Sequence, residues 1–298
     1  MEYYLSNLGL ISENDWHDYV DNLKKNNFIT IKSEEEAFKV LNKFLVNAIK
    51  VRVDNLDKFG LMFSGGLDCS IIAKVCQDLG KEFTCYTIGF EGAKDIIYAK
   101  KAAKLMDLKL KVKILDIDEF IKILLKTINI LKSNNPVYTS IGCVSYASLE
   151  FAKANKEHVV LNGLGAEEIF CGYQRHLLGD SQAIHEESWR GLREMWEVDL
   201  ERDYLISKNL GINVLTPFMD KDLIVNSMKI DPSLKINNGM KKIILRKYAE
   251  KLDIHREIAY RPKTAGQYGS KINDELKKLA RRNNFNYVKE YLEYLIKN

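Results

Sequence analysis

LMFSGGLDCSII, residues 61–72, sets a short loop between two apolar runs. The run before it, GLMF, is short and strand-like, and the run after it, IIAKVCQDLG, has helical length and ends on Gly80, as helices often do. A strand that passes through glycines into a helix leaves backbone N–H groups unpaired at the positive end of the helix dipole, so such a loop favours anions, phosphate above all. Gly65 and Gly66 carry no side chain to hold an oxyanion away, while Ser64 and Ser70 offer hydroxyl donors. The spacing GxxxxGK[ST] is absent, so this is not a Walker A loop. Asp68 stands where a cation would be expected; an acid beside phosphates calls for a divalent ion between them, which makes Asp68 the first Mg²⁺ candidate.

Outward from this loop, strands and helices alternate. Upstream, Ser33-Glu34-Glu35-Glu36 matches a capping box and predicts a helix over about 34–52. Downstream come FTCYTIGF as strand, DIIYAKKAAKLMDL as helix, KLKVKILDI as strand, EFIKILLKTINILK and CVSYASLEFAKANK as helices, and HVVLNG as strand. Strands separated by helices of that length imply parallel pairing with right-handed crossovers, hence an α/β fold with a doubly wound parallel sheet. The expected organisation is an N-terminal segment of unassigned role over 1–33, the α/β domain over 34–173, and a helical part over 174–298 that packs on it and closes the site. That last part reads as helices near 183–210, 220–229, 239–252 and 272–296, with nothing that alternates like a strand.

Composition sets the outer bounds. With 298 residues and 46% apolar content the chain can bury a large core, and no apolar run approaches 18 residues. The amino terminus, MEYYLSNLGLISENDW, has no basic segment followed by a continuous apolar stretch, so the expectation is a soluble cytoplasmic protein without a membrane partner. Five cysteines with no CxxC pair argue against a disulfide framework, a thiolate zinc site or a dithiol redox pair. A formal charge of +4 is too slight to demand nucleic acid. The five histidines fall into no metal-ligand spacing.

A second glycine loop follows the strand at 159. VVLNGLGAEEIFCGYQRH, residues 159–176, has glycines at 163 and 165 and the acid pair Glu167-Glu168. Ligands on open parallel sheets bind beyond the carboxyl ends of the strands, so one carboxylate from this loop, with Asp68 from the other, would give Mg²⁺ two anchors.

SGGLDCS resembles the SGGxDS loop of N-type ATP pyrophosphatases, and residues 40–275 resemble the synthetase domain of asparagine synthetases and the related asparagine synthetase domain-containing proteins. TPFMDKDLI (216–224), MKKIILRKYAEKL (240–252) and RPKTAGQYGSKI (261–272) extend the likeness. The resemblance implies that ATP is cleaved between its α and β phosphates and AMP is transferred to a carboxylate oxygen, with aspartate as the family's acid and ammonia as the attacking nucleophile. It assigns ATP contacts to Phe63, Ser64, Gly65, Gly66, Leu67, Asp68, Cys69 and Ser70, to Ile88 in the next strand, and to Asn162 and Gly163. It places Asp68, Glu167 and Glu168 about the metal, and makes Lys263 and Glu167 the catalytic residues, the lysine stabilising charge on the leaving pyrophosphate. Lys242 and Arg246 are further candidates for phosphate contact.

Three departures qualify the resemblance. Asparagine synthetases carry a glutamate between the glycines of the second loop, a proton acceptor or positioner for ammonia, where this chain has Leu164. No arginine occurs between Arg52 and Arg175, the span in which the family places one against its amino-acid substrate, so a carboxylate clamp would come from Arg175 or a lysine. About 60 residues precede the first loop, too few for the family's amino-terminal glutaminase, and ammonia is therefore expected free or from a separate glutaminase subunit. Other enzymes with the same loop adenylylate tRNA, and a nucleotide-binding regulatory protein is the remaining alternative.

Overall fold

The computed structural model describes residues 2, 4–6 and 9–298. A short antiparallel hairpin, β1 (Leu5–Ser6) and β2 (Gly9–Leu10), precedes the main sheet. That sheet has five parallel strands: β3 (Phe59–Met62), β4 (Phe83–Gly89), β5 (Leu110–Ile114), β6 (Val159–Leu161) and β7 (Asn213–Leu215). Their order is β5-β4-β3-β6-β7, so the chain leaves the central β3 toward one edge and later returns to the other side of it. The point of reversal lies between β3 and β6, the two strands that feed the glycine loops, and in parallel α/β sheets that crevice is where ligands bind.

Each strand contributes side chains to both faces. Phe83 and Cys85 of β4 join one apolar cluster with Leu41, Ile49, Ile71 and Ile72, whereas Tyr86 and Ile88 join a second with Phe120, Leu149, Ile206 and Leu276. These two cores, one on each face, are what doubly winding produces. Phe59 and Phe83 stack across neighbouring strands at 5.6 Å between ring centroids.

The helix starts follow from their caps. Ser33 accepts from Glu36 N before the helix Glu34–Val40, which continues through a π turn at Leu41–Leu45 into Val46–Val53. Asp116 and Glu119 form a full capping box at the start of Ile117–Leu131. The helix read from residue 143 begins earlier, at Pro136, with Asn135 as its cap; proline fits a first helical position because that N–H has no intrahelical acceptor anyway. The expected helix over 272–296 is two helices, Ile272–Arg282 and Val288–Lys297, separated by a turn in which Asn284 adopts φ +65°, a left-handed conformation that asparagine tolerates.

One expectation fails outright. The segment beyond 174 is not wholly helical, because Asn213–Leu215 pairs with Val159–Leu161 as the sheet's edge strand β7. Three residues offer too few alternating positions to show a strand period.

Residues ahead of the first long helix are tied to the same body. Trp16, on the helix Glu13–Lys24, is buried and donates through Nε1 to the Leu192 carbonyl at 3.0 Å. Glu2 accepts two hydrogen bonds from Arg52, which also reaches Asp220 at 3.0 Å. Among the described residues no helix is long and apolar enough to cross a membrane.

Candidate active site

A cavity of about 400 Å³ opens beyond the carboxyl ends of β3, β4 and β6. Phe63, Ser64, Gly66, Leu67, Asp68 and Cys69 of the first loop, Ile88 of β4, and Asn162, Gly163, Glu167 and Glu168 of the second all lie on its wall. Gly65 and Ser70 do not. Gly65 (φ +68°) is needed for a reason internal to the chain: a Cβ there would come within 2.5 Å of the Tyr98 carbonyl oxygen on the neighbouring helix Lys94–Leu105. Ser70 is fully buried one turn into the helix Leu67–Asp78, and its hydroxyl has no hydrogen-bond partner. Gly66, with nothing nearer to its missing Cβ than Ser64 Oγ at 3.2 Å, is the glycine that leaves open backbone at the helix start. Gly163 lets the two loops meet, since its Cβ would lie 3.1 Å from that of Asp68.

Where the loops meet, four charged side chains form a chain. Lys242 Nζ donates to Asp68 Oδ2 at 2.7 Å and also to Glu167, and Lys263 reaches Glu167 from the cavity mouth. Lys242 is 4% exposed and Lys263 is 42% exposed, so the first ammonium is locked in and the second faces solvent. Lys242 immediately precedes the helix Ile243–Lys251 and is held at φ +57°, a conformation that costs a non-glycine residue about 1–3 kcal/mol and tends to occur at functional sites. Gly172 makes room for the cluster, because a side chain there would collide with the Glu167 carboxylate. Burial pushes the Glu167 carboxyl up, but Lys242 and Lys263 outweigh it and hold the group below its ordinary range. Burial likewise opposes the charge on Lys242, and Asp68 and Glu167 more than offset it.

The residues here fit Mg²⁺ in their chemistry. Asp68 Oδ1 and Glu167 Oε2 are buried without hydrogen-bond partners, and carboxylate oxygens are the donors that Mg²⁺ prefers. Glu168 is not brought into this cluster. Its Oε1 accepts from Tyr173 OH at 2.7 Å instead. Burial, reinforced by Asp199, raises its carboxyl to about 7.

Several wall residues escaped the sequence reading. Arg261 donates to the Ser64 carbonyl and, at 2.7 Å, to Asp95, and lies 4.1 Å from the Tyr98 ring, so it latches the segment carrying Lys263 onto the phosphate loop. It stands in the quoted stretch RPKTAGQYGSKI, two residues before the lysine, and only its contacts mark it. Arg246 also touches the wall, but its donors go to the carbonyls of Lys241, Ala259 and Arg261; it braces the same segment. Arg175 ion-pairs with Glu187 at 2.6 Å and packs over Tyr173 outside the cavity wall, so it is no clamp for a substrate carboxylate. Arg202 also reaches the wall, between Asp199 and Asp203 at 2.8 and 2.9 Å. Leu164, half-buried, lines this cavity and a smaller one of about 200 Å³ beside Tyr4 and Thr216.

Comparison with known proteins bears on the whole arrangement. The sequence profile described as asparagine synthase matches residues 41–182 and 176–286. A putative glutamine-hydrolyzing asparagine synthetase of Methanocaldococcus jannaschii is 30% identical over 307 aligned residues, covering 90% of this chain and 56% of that protein. The human asparagine synthetase is 26% identical over 260 residues, covering 84% and 45%. The chain thus spans about half the length of the curated relatives it matches. Among solved structures, an NMN synthetase from Francisella tularensis superposes with a TM-score of 0.44 at 13% identity, covering 89% of this chain and 93% of that one. The extended match to both the profile and the archaeal relative places the chain in the asparagine synthase family.

Proposed function

We propose that the protein is an AMP-forming amide ligase: ATP binds over the Ser64–Ser70 loop, a carboxylate attacks its α-phosphorus to give an acyl-adenylate and pyrophosphate, and an amine or ammonia then displaces AMP. Family membership supports the ligase class. The observation that carries the mechanism is the Asp68–Lys242–Glu167–Lys263 chain at the junction of the two glycine loops.

A carboxylate resists nucleophiles because it is anionic and resonance-stabilised, so one of its oxygens must first become part of a good leaving group. The protein's work in phosphoryl transfer is positioning and electrostatics rather than covalent chemistry. The open amides at Gly66 and Leu67 receive the phosphates, and Lys263, half-exposed and paired with Glu167, meets the charge that develops on pyrophosphate as the α–β bond breaks. Lys242 keeps the two loops together through Asp68 and Glu167. Bound Mg²⁺, held by Asp68 and Glu167, would supply further neutralisation of the phosphates. Phe63 and Ile88 give the adenosine an apolar wall.

With Leu164 in place of the family's acid, proton removal from the attacking amine falls to another group or to water. Ammonia, free or delivered by a glutaminase, is the nucleophile that the relatives' names suggest, and aspartate is the family's acid.

Product analysis tests this reading. Incubated with ATP, Mg²⁺, ammonium and a panel of carboxylic acids, the protein is expected to form AMP and pyrophosphate in equal amounts with one amide. ADP and orthophosphate as products, or no nucleotide turnover with any acid, would refute it.

A further inference from the structure

The amino-terminal helix Glu13–Lys24 packs against the helix Ser181–Met195 and the π turn that follows it, Trp196–Leu200. Two indoles fix the register of this junction, one from each side. Trp16 Nε1 donates to the Leu192 carbonyl at 3.0 Å, and Trp196 Nε1 donates to the Ile11 carbonyl at 2.9 Å. Ser12 caps the amino-terminal helix by accepting from Asp15 N, so both elements are held before any ligand arrives.

Across this junction Glu13, His17 and Glu197 bring one ligand atom each within 4.8 Å of one another, and no other three His, Cys, Asp or Glu residues among those described come so close. Glu13 and His17 are four residues apart and share a helix face, with His17 Nε2 3.8 Å from Glu13 Oε1. Alone they are an ordinary helix pair; Glu197 joins them only in the fold, from the π turn. The charges do not balance from within the chain. Among the described residues no lysine or arginine ion-pairs with Glu13 or Glu197, and Arg193, four residues before Glu197, pairs instead with Asp21 at 3.4 Å. The imidazole does not serve as an internal cation either, since 3.8 Å is too long for a hydrogen bond to Glu13. Two carboxylates held together in this way call for a divalent cation, and the imidazole nitrogen beside them selects its kind. Mg²⁺ and Ca²⁺ take oxygen ligands, whereas imidazole suits Zn²⁺ and its transition-metal neighbours.

We propose that Glu13, His17 and Glu197 form a surface site for a divalent transition ion, with Zn²⁺ as the probe that reveals it, and that the bound ion clamps the amino-terminal helix to the π turn. None of the three lines the cavity, so the site stands apart from the ligase reading and does not depend on it. With His17 14% exposed and Glu13 40% exposed, the ion is reached from solvent, and the side chains are free to draw in around it while water completes its shell.

Calorimetric titration of the full chain with Zn²⁺, in excess Mg²⁺ to mask sites made of oxygen alone, tests the proposal together with melting curves. The parent is expected to bind one equivalent, and His17→Ala and Glu197→Gln each to weaken that binding by at least about tenfold. His158→Ala, at an exposed histidine elsewhere, leaves it unchanged. Zn²⁺ raises the melting temperature of the parent and not that of the two ligand variants. In chelator, Glu197→Gln melts no lower than the parent, because it relieves the repulsion between the carboxylates; this also shows that the variant folds. The proposal is overturned if the parent shows no saturable Zn²⁺ binding, if both ligand variants bind as the parent does, or if His158→Ala weakens binding as much as His17→Ala.

Discussion

The two ends of the cavity are built from the same kinds of side chain, yet only one of them is electrostatically closed. At the phosphate end each buried carboxylate has a cation, and the cluster ties together segments 68, 167, 242 and 263. At the other end Arg202 pairs with Asp199 and Asp203, Glu168 is hydrogen-bonded only by the Tyr173 hydroxyl, and its carboxyl rises to about 7. The difference teaches that one cluster ties the two glycine loops together through buried ion pairs, while the other holds a buried acid whose surroundings favour its proton. Each end therefore fails differently when altered.

The largest effect is expected at the closed end. Lys242→Ala leaves Asp68 and Glu167 without their buried cation, and removal of one partner from such a pair destabilises by about 3–5 kcal/mol. Chemical denaturation checks this; a loss under 1 kcal/mol would show that the loops do not depend on the lysine.

At the open end the effect is a dependence on pH. Because burial and Asp199 lift the folded value of Glu168 from 4.5 to about 7, the folded state retains a proton that the unfolded chain has released. Its contribution is therefore greatest below pH 4.5 and is lost as pH rises through 7, by an amount on the order of 3 kcal/mol. Subtracting the Glu168→Gln stability curve from that of the parent isolates the slope. A flat difference would mean that Glu168 already has a cationic partner.

The closed end was the more legible of the two in the sequence. Two glycines after a strand and before a helix, with Asp68 inside them, announce an anion-binding loop from local rules alone, and the alternating pattern forecast the parallel sheet. Gly65 shows the limit of that logic: the residue type is right, but the close approach it permits is to the Tyr98 backbone of its own chain. Lys242 could be suspected only as one cation in a basic run, because its left-handed backbone and its two acid partners are tertiary facts. The open end was illegible. Asp199, Arg202 and Asp203 read as ordinary polar positions on a helix, and nothing in DLERD says that this face turns inward to meet Glu168, some thirty residues earlier. Strand β7 was missed because its place is fixed by pairing with β6, not by its own three residues.

The most direct test of the central claim is ATP–pyrophosphate exchange with Mg²⁺ and an acid but no amine, in the parent and in Lys263→Ala. The account predicts exchange that requires the acid, and in the variant a loss of about a hundredfold or more, close to 2.7 kcal/mol, with ATP affinity nearly unchanged. Exchange without any acid, or a variant in which binding and rate fall together, would contradict it.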